Sequence, residues 1–187
     1  MANKDAAFGL RPIGKVGQNR DAQGLSEYDI AASASAIYFN DPVEILSTGT
    51  IGVAAATDAL LGSLTGVFFT DATTSKPTFA NHLNASNTAT DIVGFVTDDP
   101  YQRYEIQSDG ATEATDVGQN ADIVYAAGSS PEFVSKVELD ESDHKDATAQ
   151  LRIIGISKDP ENNTAGSANV NLVVIINEHQ LKGTTGV

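Results

Sequence analysis

Asp98-Asp99-Pro100-Tyr101-Gln102-Arg103-Tyr104-Glu105-Ile106-Gln107-Ser108-Asp109-Gly110 is the stretch whose reading decides the fold. Pro100 fixes its own φ, lacks an N–H and pushes Asp99 out of the helical region, so the chain enters the segment extended. Beyond it, Gln102, Tyr104 and Ile106 point to one side and Tyr101, Arg103, Glu105 and Gln107 to the other. That is the period-two pattern of a half-buried strand, rich in residues that favour one. Asp109-Gly110 then supplies a turn. The reading is a bounded strand with Tyr104 and Ile106 inward, a polar face toward solvent and no catalytic character.

Working outward, strand signals dominate. Residues 25–31 form a candidate first strand. Asp41-Pro42 repeats the extended entry and leads into 43–46, Thr48-Gly49 breaks the run, and 50–55 returns as a hairpin partner. Residues 60–69 are apolar and carry Gly62 and Gly66, as where a strand bends or another backbone comes close. A polar surface loop fills 71–90, with a short extended piece at Thr78-Phe79, and 92–96 leads into the opening stretch. In the second half, 121–125 is extended, Gly128-Ser129-Ser130-Pro131 breaks it, and 133–139 alternates as a strand. A polar connection over 140–149 follows, then strands over 151–156 and 170–177, the last with an unbroken apolar centre that suggests burial on both faces. The one expected helix is short, over 111–117, capped by Thr112 and ended by Asp116-Val117-Gly118. The runs 43–46, 50–55 and 60–69 match 121–125, 133–139 and 151–156 in pattern. The expectation is an all-β barrel or sandwich with a body over 25–187, built of two pseudo-repeated units, about 25–97 and 98–187.

Composition narrows the function classes. The 187 residues include no Cys and no Trp, and the only Met is Met1. Neither disulfides nor cysteine-held metal are therefore expected. The first residues lack the apolar run of a signal peptide and no segment has transmembrane length, so a soluble, cytosolically made protein is expected. The formal charge of −14, from 25 acids and 11 bases, argues against nucleic acid as a direct partner. Acids crowd 91–146, whereas 1–20 holds Lys4, Arg11, Lys15 and Arg20 against Asp5 alone. An extended basic arm over 1–24 thus precedes an acidic body that includes 98–110. Such an arm docks on a neighbouring subunit, folds back on its own body, or stays without structure.

Catalytic and metal-binding patterns are absent from the sequence. His82, His144 and His179 stand apart, and no His or Cys lies at ligand spacing from any of them. The acidic run 140–146 lacks the alternating ligands and central glycine of a calcium loop. Asp99 of Asp98-Asp99 is a turn residue before it is half of a carboxylate pair. Gly62 and Gly66 lack the Lys and Ser/Thr of a phosphate loop, and no Gly-x-Ser-x-Gly elbow occurs. The expectation is a protein that is not an enzyme, with no catalytic residues, cofactor or metal.

Several stretches carry a resemblance. Met1-Ala2-Asn3-Lys4-Asp5-Ala6-Ala7-Phe8-Gly9-Leu10-Arg11-Pro12, the Asp-Asp-Pro-x-x-x-Tyr-Glu-Ile-Gln-x-Asp-Gly motif at 98–110 and Gly118-Gln119-Asn120-Ala121-Asp122 resemble structural proteins of tailed bacteriophages, marine ones especially. So do Leu151 to Asn163 and Asn171 to Asn177. The resemblance implies a capsid decoration (cement) protein with a β-tulip-like body, on the outer surface of a mature icosahedral head. It implies a homotrimer made in the host bacterial cytoplasm, with the major capsid protein and its own copies as partners, and no membrane or nucleic acid contact. On this reading Lys4, Phe8, Leu10, Arg11, Pro12, Ile13, Lys15 and Arg20 form a capsid-binding arm, and deleting 1–20 leaves the body folded. Other virion parts remain open: a head-fibre base, a tail-tube subunit or a host-adhesion protein. A carbohydrate-binding β-module, with Tyr101 as its best-placed aromatic, is the more distant alternative.

Overall fold

In the computed structural model, which describes residues 2–16, 25–145 and 147–183, the chain is all-β. The first strands are β1 (Arg11–Lys15), β2 (Ser26–Asp29), β3 (Pro42–Ile45), β4 (Ile51–Val53), β5 (Gly62–Thr70), β6 (Pro77–Ala80) and β7 (Val93–Thr97). After them come β8 (Gln102–Gln107), β9 (Asn120–Val124), β10 (Glu138–Lys145), β11 (Leu151–Ile156) and β12 (Asn171–Ile176). They form two six-stranded sheets of antiparallel pairs, an arrangement of the sandwich class. One sheet runs β2-β7-β5-β3-β4 with β6 beside β5; the other runs β1-β8-β12-β11-β9-β10.

Each sheet has its own core. Ile30, Ile37, Val43, Leu64, Val67 and Val96 fill one, and Leu10, Tyr104, Ile106, Ile153, Leu172 and Val174 the other. The Tyr104 hydroxyl donates to the Thr97 carbonyl across the two sheets at 2.8 Å, which satisfies the only polar atom of a fully buried ring. Leu60, which precedes β5, inserts into the second core and bonds through its N–H to the Glu178 carbonyl.

With β1 and β6 set aside, the two sheets share one strand order. β2, β3, β4, β5 and β7 occupy the places of β8, β9, β10, β11 and β12. The correspondence extends to irregularities. β5 bulges against β7 between Leu64 and Gly66, and β11 bulges against β12 between Ile153 and Gly155. Asn40 (φ 66) donates its N–H to the Leu64 carbonyl, and Gly118 (φ 101) donates to the Ile153 carbonyl. Leu64 N–H returns to Asp41 O, and Ile153 N–H to Gln119 O. The Ile30 N–H to Ile92 O bond has its counterpart in Ser108 N–H to Val170 O. Few side chains are the same at matched places. Glu27 and Glu105 are, as are Val96 and Val174.

Three local readings need correction. Residues 133–137 are not strand: Phe133 sits at φ 53, and the strand of this region is β10, which shares Glu138 and Leu139 with that reading and runs on into the polar stretch read as a connection. β10 is an edge strand, so its pairing with β9 requires no alternation of apolar residues. The helix over 111–117 is a single 3₁₀ turn, Ala114–Asp116, capped by Glu113 and Asp116. Thr112 is buried, and its hydroxyl bonds to that of Ser108 at 2.7 Å. On β12, Leu172, Val174 and Ile176 enter the core, while Val173 and Ile175 stay half-buried on the other face.

The close approach of β5 to β7 explains one glycine. A Cβ at Gly62 would stand 2.1 Å from the Thr97 carbonyl oxygen, whereas one at Gly155 would meet nothing within 4 Å. Gly62→Ala is expected to cost ~2 kcal/mol or more in denaturant unfolding, as overpacking against backbone does, and Gly155→Ala to change stability by less than ~1 kcal/mol.

Candidate interaction surface

The described residues of the arm, 2–16, are built into the body. β1 pairs with β8, with Arg11 opposite Glu105 and Pro12 opposite Tyr104. Ahead of β1, side-chain amides of the body read the arm's backbone. Asn162 accepts from the Lys4 N–H and donates to the Lys4 carbonyl, and Gln107 accepts from the Ala6 N–H and donates to the Lys4 carbonyl. Asn3 answers in the other direction, donating to the carbonyls of Thr164, Ser167 and Ala168. An extended segment without a sheet partner has its backbone groups satisfied in this way.

The candidate residues divide by role. Leu10 is fully buried in the second core, and its N–H donates to Asn40 O. The Phe8 carbonyl accepts from Asn40 Nδ2, and its ring lies under the Arg11 guanidinium at 4.3 Å. Arg11 is ion-paired with the buried Glu105, which also accepts from the Ser157 hydroxyl. Lys15 pairs with Asp99 at 2.5 Å and holds that carboxyl below its ordinary range. Ile13, at the β1 bulge, is exposed, as is the Lys4 side chain. Arg20 lies outside the described residues. The arm's cations at Arg11 and Lys15 are thus engaged by acids of the same chain. The stretch 98–110 is their seat rather than a region remote from the arm.

This corrects the outer face of the deciding strand. Glu105 and Gln107 are buried rather than solvated, because the arm and residues 157–171 cover them. The sequence pattern gave their direction but not their cover. The sequence gives no signal that Asn3, Asn40 and Asn162 hold the arm, since amides in turn-rich segments read locally as solvent-facing, and Gln107 reads as the polar face of its strand. Deleting 1–20 removes a core leucine and an edge strand, so the truncated body is not expected to keep its stability.

Asp41 lies beneath this seat. Gly9, in a left-handed conformation, packs so tightly that a Cβ would stand 2.3 Å from Ser135 Cβ and 2.5 Å from Asn40 O. Asp41 is fully buried beside Ser135 and accepts from the Tyr38 N–H at 2.7 Å. Burial pushes its carboxyl from the ordinary 3.8 up to about 6, against the lowering by the neighbouring Ser135 hydroxyl and the Tyr38 N–H. Nearby, His82 stacks on Phe133 with centroids 3.9 Å apart.

Two apolar patches face solvent. On the outer face of the first sheet, Phe79 (69% exposed) lies beside Phe68, its cross-strand partner, with the Phe95 ring 5.7 Å from its own. Glu27 and Asp29 stand opposite Phe95 and Val93 and give this patch an acidic border. Around the β1–β8 end, Val16, Tyr101 and Leu181 are exposed, and Lys182 sits over the Tyr101 ring at 4.7 Å. Among the described residues, no three His, Cys, Asp or Glu side chains are placed to hold a metal, and no helix is long and apolar enough to cross a membrane. No family model matches the chain, and no curated protein or solved structure does either.

Leu10→Ala is expected to destabilise the fold by about 2–5 kcal/mol in denaturant unfolding, and Ile13→Ala by less than ~1 kcal/mol. For Asp41, a raised folded pKa contributes stability that is present below 3.8 and lost as pH rises through about 6. Asp41→Asn is therefore expected to gain on the wild type between pH 4 and 7, by up to ~3 kcal/mol. Unfolding curves of both proteins at several pH values check this; parallel pH profiles would contradict it.

Proposed function

We propose that the protein is a structural virion component that binds the outer surface of a mature tailed-phage head and clamps neighbouring major capsid subunits. The sequence resemblance supports this reading, and the observation that carries it is the Phe68–Phe79–Phe95 patch. A monomer that leaves two phenylalanines exposed on a regular sheet face offers anchors for a protein surface. The seated arm supports it too, because it holds Ile13 and the Lys4 side chain outward on a fixed frame. A protein that binds the expanded shell alone stabilises that state by mass action. Contacts repeated around a trimer add through effective concentration.

Purified protein mixed with expanded heads is expected to co-sediment with them and to leave unexpanded heads bare. Phe79→Asp is expected to lower binding at least tenfold while melting within a few degrees of the wild type. Failure to bind heads, or undiminished binding of the variant, would contradict the proposal.

A further inference from the structure

The shared strand order of the two sheets exposes an asymmetry at their edges. β8 and β2 hold the same place: each pairs on one side with the last strand of its unit, β12 or β7, in the same register. The other edge of β8 is filled by β1. The other edge of β2 has no strand on it among the described residues. Backbone direction matches as well. Ile30 N–H points at Ile92 O, so the alternation of a strand turns the N–H groups of Glu27 and Asp29 outward. Ser108 N–H points at Val170 O, which likewise turns those of Glu105 and Gln107 toward β1.

The side chains at this edge favour one kind of occupant. Glu27 occupies the place of Glu105, opposite Phe95 as Glu105 is opposite Val173. Glu105 is paired with Arg11 of the docked strand, whereas Glu27 is exposed, with no ion-pair partner among the described residues. Asp29, also exposed, adds a second carboxylate, and Leu25 is 45% exposed at the start of the strand. Two acids along an open edge repel the strands of a body with formal charge −14 and attract a basic one. Among the described residues, the arm fills the β8 edge and leaves its counterpart on β2 open.

We infer that the open edge of β2 is a docking site for an extended basic segment of a partner protein. The segment adds antiparallel to β2, as β1 adds to β8, with an arginine across from Glu27. This does not depend on the capsid reading, since it follows from the two sheets and their edges.

A synthetic peptide of residues 8–16, whose sequence fills the β8 edge within the chain, is the probe, titrated into the full-length protein and followed by amide NMR. The expected result is shifts centred on β2 and β7. Glu27→Arg should weaken binding at least tenfold, and a peptide carrying Arg11→Glu should recover affinity for that variant. Glu27→Gln, which adds no new charge, should give an intermediate loss. Absence of binding, shifts confined to β8 and β12 through displacement of the chain's own arm, or equal affinity for Glu27→Arg would each overturn the inference.

Discussion

The pairing of β1 along β8 is the contact on which the rest of this structure depends. It turns an edge strand into an interior one and brings Leu10 into the second core. It also supplies partners to groups that cannot be buried alone. The Glu105 carboxylate is satisfied by Arg11 and Ser157, and the Gln107 amide by Lys4, Ala6 and Asn169. Taking away one partner of a buried charge leaves the other at full desolvation cost, so the strand and its arm stand together. The arm is therefore framework, with Ile13 and the Lys4 side chain on its outward side.

A second constraint is the repeated sheet. Two units share strand order, a bulge before a glycine and a left-handed residue bonded to the bulged strand. They differ where each is elaborated: the first carries β6 and the Phe79 patch, the second carries the arm. The tie between them is polar as well as apolar, through the Tyr104 hydroxyl on Thr97. The two units depart from one another at their faces and edges.

Much of the fold was legible because its punctuation is local. Pro42, Pro100 and the glycine turns bound strands by their own backbone chemistry, and the alternation of Tyr104 and Ile106 placed both in the core. β10 was not legible, since an edge strand of acids and polar residues carries no alternation to read. Thr112 looked like a helix cap, and Ser108, four residues before it, took the hydroxyl instead. The arm's seat escaped for a different reason. Asn3 reaches Thr164 and Asn162 reaches Lys4 across nearly the whole chain, and the amides that hold the arm look like ordinary loop residues until the topology brings them together. Charge gave the arm's sign, but only the register shows that Arg11 faces Glu105 and Lys15 lies beside Asp99.

Native-state amide hydrogen exchange tests the central claim, a seated arm on one sheet edge and an open edge on the other, within a single data set. Leu10 and Val16 donate to Asn40 O and Tyr101 O, and the account predicts protection for both near that of Ile153 in β11. It predicts rapid exchange at Glu27 and Asp29, whose N–H groups face the open edge of β2. Exchange of Leu10 and Val16 as fast as that of Glu27 and Asp29 would contradict it.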